Sequence, residues 1–478
     1  MLTIFTEKEN WSLVIDQGGH ATRGIVFDET RKQIIAVESP IMTITQGELI
    51  VEHDANEMVH SVFDVMDQLY NKLQENFVNI KQAGIATQRS SFVCWDKQSG
   101  EALTPIISWQ DRRTVNELTP YMSQQNKIHN ITGLYLNPHY GATKIAWCLR
   151  ETKSPLSNEN LAVGPLASFI FFHLLNNQPF VVDPANASRM LLMDYKTMEW
   201  SNKMLELFCI PRHLLPSICP TKFSYGDIIY KEHAIPLTIC TGDQSAAIFA
   251  EGELEDDAVF VNVGTGAFVQ QRCNQPPKLK KEKLLASVVY FDGQNSKYVI
   301  EGTVNGAGRA LEWYANQHGL INYQTDLETA IPASQELPIF INGVSGLGSP
   351  FWKEIDSKFI GVGDDIENML AIMESVVFLL LVNIKVIDRA NQPVKKIYIG
   401  GGIAQSDSFC KKLASISGIP VIRSQQKEAT SCGVFYLMQG KKFEVRRDSD
   451  RKIFVSIADN PLKNRFLKWN DEMEKCTK

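Results

Sequence analysis

Two stretches of this 478-residue chain share a plan that few folds accommodate: a β-type run, a glycine turn, and a second β-type run. The first covers residues 12–28, where SLVI leads into Asp16, Gln17, Gly18, Gly19 and His20 before GIVFD. The second covers residues 258–270, where AVFVNV breaks at Gly264-Thr265-Gly266 before AFVQ. Branched and aromatic residues on both sides of glycine read as strand, turn, strand. The backbone N–H groups of such a turn can face an anion. A third glycine run, Gly400-Gly401-Gly402, follows a β-type stretch at 396–399. The recurrence predicts two related halves, each opening on a phosphate-facing hairpin. Helical patterns between the turns make the class α/β.

The motifs that are missing narrow the chemistry. None of the turns is GxxxxGK[ST], which excludes a P-loop. None is GxGxxG after a strand with a downstream acid, which disfavours a dinucleotide fold. There is no HExxH and no Cys/His cluster for zinc. Net charge is −6 with 21% charged residues and a pI near 5.9, so nucleic acid is not an expected partner. The basic run KLKKEK at 278–283 reads as a solvated loop. Nine cysteines without a CxxC pair suit a reducing compartment. The opening residues lack a basic region followed by a long apolar core, and the apolar run 376–382 is too short to span a bilayer. A cytoplasmic protein of two or more domains is expected, without membrane association.

Chemistry concentrates in residues 239–268. An apolar run ends in Thr241-Gly242-Asp243-Gln244, and a short helical pattern follows that stops at Gly252. Asp243 sits at this strand–helix junction, where it reads either as a helix N-cap or as a carboxylate held near a ligand. Asp16, at the end of the first strand, reads either as an Asx-turn residue or as a partner for hydrated Mg²⁺.

Elsewhere, Asp54 to Glu57 has capping-box spacing before an amphipathic helix carrying Met58, Val62, Val65, Met66, Leu69 and Leu73. His53 beside it reads as structural. A strand at 83–87 delivers Gln88, Arg89, Ser90 and Ser91 at its carboxyl end, where open α/β sheets bind ligands. A second polar cluster, SWQDRR at 108–113, ends another apolar run. Arg89 and Trp109 together suit a polyhydroxylated ligand, one as a fork of donors and the other as a face for C–H groups. Residues 365–388 form a long helix, apolar nearly all round and expected to be buried. After Gly440 only a short charged tail is expected.

The order of these pieces resembles the FGGY family of carbohydrate kinases, most closely its glycerol-kinase branch. The matching stretches are DQGGHATRGIVFD (16–28), VEHD (51–54), TQRSS (87–91), SWQDRR (108–113), TGLYLNPHYGATK (132–144), NASRMLLM (186–193), GDQSAAIF (242–249), NVGTGAF (262–268), GLGSPFW (346–352) and GGGIAQSD (400–407). The resemblance implies two actin-like (ribonuclease H-like) domains flanking a cleft, at 1–246 and 247–478. The first would hold a sugar or polyol and the second most of an ATP molecule.

Carried over residue by residue, the likeness makes Asp243 the general base, and Asp16 and Asp243 face Mg²⁺ through waters. Gly18, Gly19, His20 and Arg23 fall on the first phosphate loop, and Gly264, Thr265 and Gly266 on the second. Gly308, Leu311, Glu312, Gly401, Gly402 and Ser406 fall where the family holds adenosine and the α-phosphate. Arg89, Ser90, Trp109, His139, Gln244 and Phe268 fall on polyol-contacting positions, together with Asp243. A homodimer is the one assembly considered.

The chain departs from the family at several of these positions. Gly18-Gly19-His20 replaces the usual Gly-Thr-Thr and removes two hydroxyl donors. Ser90 stands where a glutamate accepts bonds from substrate hydroxyls. His139 replaces a tyrosine, with Tyr140 beside it. Glu312 and Ser406 replace Gln and Asn. An unmatched buried hydroxyl costs roughly 1–3 kcal/mol, so a longer polyol or a ketose, not glycerol itself, is the expected acceptor. The competing expectation is a weakened kinase fold acting as a nucleotide- or sugar-binding regulator. A chaperone-type ATPase is disfavoured, since no peptide-binding appendage follows Gly440.

Overall fold

The computed structural model describes residues 9–151, 159–279, 283–329, 336–424, 428–440 and 451–477. The first glycine hairpin joins β1 (Trp11–Gln17) to β2 (Ala21–Phe27), and β3 (Gln33–Pro40) completes an antiparallel meander. Helix α1 (Ala55–Leu73) crosses this meander. Its side chains at 58, 62, 65, 66, 69 and 73 recur every three or four residues and are all buried. Each contributes roughly 1.5–3 kcal/mol by leaving water. Gly24 lets the helix approach, because a Cβ there would lie 2.3 Å from Val65 Cγ1. Asp54 caps α1 by accepting from the Glu57 N–H, but Glu57 does not return the bond. Its carboxylate accepts from the Met42 N–H instead, so only half of the expected box forms.

Strand β4 (Ile80–Thr87) lies parallel to β1, and the hairpin β5 (Lys222–Tyr230) and β6 (His233–Gly242) completes a sheet of order β5-β6-β4-β1-β2-β3. A short helix, α2 (Asp243–Ala247), leaves the end of β6. A small five-stranded sheet joins two short strands before α1 (Ile44–Gln46 and Ile50–His53) to three that lie between β4 and β5 (Phe92–Asp96, Ile106–Ile107 and Leu161–Pro165), where the helix Gly141–Glu151 also lies.

The second half opens on the second glycine hairpin, β7 (Ala258–Val263) and β8 (Ala267–Cys273), followed by β9 (Leu285–Phe291), β10 (Ser296–Val304) and α3 (Gly308–His318). Helix α4 (Asp365–Ala390), β11 (Lys396–Gly400), α5 (Asp407–Ser417), β12 (Val421–Ser424), α6 (Ala429–Gln439), β13 (Arg451–Phe454) and α7 (Asn460–Thr477) complete it. The sheet order is β9-β10-β8-β7-β11-β12-β13. Apart from the extra edge strand β9, β10-β8-β7-β11-β12-β13 repeats β3-β2-β1-β4-β6-β5 with the same parallel and antiparallel pairings. The two related halves read from the glycine hairpins are therefore present strand for strand.

Helix α4 is long and apolar enough to cross a membrane, yet 89% of its most apolar window is buried in the fold. The tail expected after Gly440 is instead part of the architecture. Strand β13 forms an edge of the second sheet, and α7 buries Leu462, Phe466, Trp469 and Met473. Those four recur at intervals of four, three and four, a stripe narrow enough for the surrounding lysines and acids to mask it in composition. Arg465 of α7 also forms a two-bond ion pair with Glu374 of α4, at 2.7 Å. Of the basic run 278–283, Lys278 is exposed and residues 280–282 lie outside the described residues, as do 441–450.

The halves share a core. Helix α6 returns from the second half to pack on the first sheet, where Val434 and Phe435 join Val14, Phe27 and Ala86. Gly433 permits this, since a Cβ would meet the Ala246 carbonyl oxygen at 1.9 Å. Gly433→Ala should therefore push α6 away from α2 and destabilise the protein by about 1–3 kcal/mol. Thermal unfolding beside Gly418→Ala, where nothing lies within 4 Å but φ is +73°, separates steric clash from backbone strain.

Candidate active site

Strands β1, β4 and β6 run parallel, with Gln17 opposite Thr87 and Thr87 opposite Gly242. Their carboxyl ends therefore share one edge of the sheet. This places Asp16, the 88–91 segment and Asp243 together, which no local sequence signal states. Gly242, not Asp243, occupies the N-cap position of α2 and makes no side-chain cap bond. The capping reading of Asp243 is thus set aside, and its Oδ1 accepts from the Gln244 N–H at 2.6 Å. A Cβ on Gly242 would lie 2.4 Å from Arg89 Cγ. Glycine here lets the buried Arg89 lie along the strand end with Nε 3.7 Å from Asp243 Oδ1. Arg89 also donates to Ser245 Oγ at 3.5 Å, and its guanidinium sits 5.8 Å from the Phe268 ring centre.

The carboxylates are tuned upward. Burial raises Asp243 above the ordinary carboxylate range against the pull of Arg89. Asp16 is pushed up to about 7, first by burial and next by the charge of Asp243. No hydrogen bond to the Asp16 carboxylate is formed among the described residues. Two carboxylates close enough for the charge of one to raise the other fit a hydrated Mg²⁺, which typically takes one or two carboxylates and keeps several waters. No cluster of three or more ligating side chains exists among the described residues, in keeping with so sparse a coordination.

Because the Asp16 pKa is higher folded than unfolded, folding takes up a proton between about pH 4 and 7, and stability falls as pH rises through that window. Asp16→Asn should stabilise the ligand-free protein at pH 8 by on the order of 4 kcal/mol, read as a higher melting temperature. The gain should vanish near pH 4. A pH-independent gain would mean that Asp16 carries no such burden.

The residues expected to face a polyol gather around Arg89. Ser90 is buried with φ +65°, a left-handed conformation that costs about 1–3 kcal/mol away from glycine. The Trp109 N–H donates to Ser91 Oγ at 3.0 Å; that hydroxyl donates to Gln88 Oε1, and Gln88 Nε2 donates to the Gly18 carbonyl at 3.3 Å. His139 Nδ1 lies 2.9 Å from the Trp109 carbonyl. A carbonyl only accepts, so Nδ1 carries the proton and Nε2 is left with a lone pair. Burial lowers His139 to about 4 and keeps it neutral. His139 thus takes the place beside Trp109, while Tyr140 is buried.

On the other side, the Gly264–Gly266 turn closes through Gly264 N–H to Gly266 O at 2.9 Å and leaves Thr265 exposed. The start of α3 docks on it: Gly308 N–H donates to Gly264 O, and the Ala307 and Arg309 N–H groups donate to Thr265 O. A Cβ on Gly308 would lie 2.7 Å from Gly264 O. Gly400 pairs with Asn262 across β7 and β11, so the Gly401 turn, with φ +97°, lies against Val263. Asn262 Nδ2 donates to Gln244 Oε1 at 2.7 Å and ties this hairpin to the Asp243 helix.

The remaining predicted positions are more mixed. Gly402 and Glu312 are exposed, whereas the Leu311 side chain belongs to the core. Ser406 caps α5 and donates to Glu328. In the first loop, Gly18 N–H bonds Ala21 O and His20 is exposed, while Arg23 pairs with Glu38 at 3.3 Å and Glu428 at 3.6 Å.

Sequence reasoning missed the floor beneath Arg89. Arg189 Nη2 reaches both Glu301 oxygens at 2.9 Å and Ser287 Oγ at 2.8 Å, and Gln270 Nε2 donates to Glu301 at 2.7 Å. The ion pair is buried and joins the two halves. Its signal was a lone charge inside each of two apolar runs, SRMLLM and YVIEGTV.

Comparison with known proteins agrees with this geometry. Residues 11–250 match the model of the N-terminal domain of the FGGY family of carbohydrate kinases, and residues 259–438 match that of its C-terminal domain. A glycerol kinase of Mycoplasmoides gallisepticum is 30% identical over 452 residues, covering 90% of this chain and 89% of its own. Glycerol kinase 1 of Pseudomonas aeruginosa is 29% identical, covering 92% of each. Among solved structures, Plasmodium falciparum glycerol kinase with ADP superposes with a TM-score of 0.87 at 23% identity, over 98% of both chains. A ligand-bound xylulose kinase from Lactobacillus acidophilus does so with a TM-score of 0.85 at 17% identity, again over 98% of both. With both domain models matched in order along a twice-repeated sheet, the chain belongs to the FGGY family of carbohydrate kinases, ATP-dependent phosphotransferases acting on an alcohol group.

Proposed function

We propose that this kinase phosphorylates a hydroxyl of a polyol or ketose longer than glycerol, held by the half at 1–246, with ATP held mainly by the half at 247–478. The observation that carries the reading is the Asp243 carboxylate, 3.7 Å from Arg89 and tied through Gln244 to the Gly264–Gly266 hairpin. Asp243 takes the proton of the attacking hydroxyl. Phosphoryl transfer has a loose transition state, so holding the alcohol in line matters more than strong basicity. Arg89 donates to acceptor oxygens, while His139 Nε2 and Ser90 Oγ accept from hydroxyls. The indole of Trp109, 36% exposed, offers a face to C–H groups. The N–H groups of the glycine turns that are not used to close them face the phosphates, and Asp16 with Asp243 would hold Mg²⁺, whose charge offsets that of the phosphates when bound. Closing the cleft excludes water that would otherwise accept the phosphoryl group.

Ser90 argues for the longer acceptor. It leaves the acceptor hydroxyls without the carboxylate that the family's glutamate supplies, which weakens a three-carbon ligand by about one to two powers of ten. A coupled assay over glycerol, erythritol, xylitol, xylulose and gluconate tests this. A higher kcat/KM for a four- to six-carbon acceptor is expected, and glycerol as the best acceptor would overturn it. Binding of ATP without turnover of any acceptor would instead favour the regulator, which the hydroxyl-poor Gly18-Gly19-His20 loop supports.

A further inference from the structure

Lys144 lies on the helix Gly141–Glu151 with its side chain fully buried. Its ammonium donates to three backbone carbonyls, those of Ser108 at 2.8 Å, His139 at 3.1 Å and Asp111 at 3.4 Å. Three N–H bonds therefore meet three acceptors. Ser108 and Asp111 flank Trp109, so the lysine fixes both stretches that form the aromatic side of the pocket. No carboxylate binds the ammonium directly. The Asp111 carboxylate is taken by Arg113, at 2.9 and 2.8 Å, and by the Val51 N–H at 2.8 Å. A buried cation without a carboxylate partner is a poor device for stability alone, because desolvation outweighs what neutral acceptors return. A neutral core residue would fill the space at lower cost.

We propose that Lys144 is a positioning residue for the acceptor: by gathering the carbonyls of Ser108, Asp111 and His139 it sets the separation and tilt of Trp109 and His139. The proposal rests on the reading of those two side chains as the pocket wall. Burial lowers Lys144 to about 7. The titratable and charged groups around it are Asp111, Arg112 and Arg113 on the loop, His139 on the facing segment and Cys148 on its own helix. Loss of one proton leaves two donors for three carbonyls and loosens the wall.

The test measures KM for the acceptor and for ATP separately, with glycerol and xylulose as acceptors, in wild type, Lys144→Met and Trp109→Ala. Lys144→Met should lower acceptor kcat/KM about 10- to 100-fold, chiefly through KM, with the ATP KM within about twofold of wild type. A folded Lys144→Met with both KM values unchanged overturns the proposal. If that variant does not fold, wild type decides: the acceptor KM should rise between pH 6.5 and 8.5, and a level acceptor KM overturns it. An unchanged acceptor KM in Trp109→Ala removes the wall reading, and the inference with it. A change in Trp109→Ala without one in Lys144→Met removes the inference alone.

Discussion

Asp243→Asn is expected to lower kcat by about 10²–10⁴, with the acceptor and ATP KM values changed far less. The amide cannot take the proton of the attacking hydroxyl, but it keeps the shape of the side chain and can still accept from the Gln244 N–H. It also removes the stronger of the two negative charges acting on Asp16, which relieves the upward pressure on that carboxylate. The variant should therefore melt no lower than wild type in the absence of ligand. Loss of turnover with unchanged or higher thermal stability separates a chemical role from a structural one. Equal ATP consumption by wild type and variant with the best acceptor would sink the base assignment.

The second large effect is expected at the interface between the halves. Arg189→Met should destabilise the protein by about 3–5 kcal/mol, because it leaves the buried Glu301 carboxylate with Gln270 as a hydrogen-bond donor and only the weaker cation, Arg89, to offset its charge. Arg189 and Glu301 side chains are 4% and 0% exposed, and Arg189 is the stronger of two cations that hold Glu301 below the usual carboxylate range against its burial. For halves of this size that loss corresponds to roughly 6–20 °C in melting temperature. The double variant Arg189→Met/Glu301→Gln should recover much of it, since no charge is then buried without a counter-charge. Calorimetric unfolding of the single and double variants gives the coupling directly. A single variant that melts with wild type would mean that water reaches Glu301.

Much of the candidate site was legible along the chain, because its residues sit where β-type runs end. That punctuation survives in one dimension: β1 into Gly18, β4 into Arg89, β6 into Asp243 and β7 into Gly264 could each be read from a β-type run and what broke it. The half-formed cap at Asp54 was less legible. Whether Glu57 turns back or reaches Met42 depends on a loop from elsewhere. The mistaken tail has a similar origin, since the stripe Leu462, Phe466, Trp469 and Met473 only acquires meaning once α4 supplies a surface to cover.

The sequence by itself determined the α/β class and the doubling of the halves, because periodicity and glycine placement are properties of neighbours along the chain, and its motifs carried the resemblance to the family. Only the tertiary structure decided that Asp16 and Asp243 share a sheet edge, that His139 and not Tyr140 stands beside Trp109, and that Arg189, Glu301 and Lys144 lie beneath and behind the pocket. Strand register and long-range packing bring together residues from about 30 to more than 200 positions apart, and the energies of buried charge depend on those distances and on the exclusion of water, neither of which is written into local order.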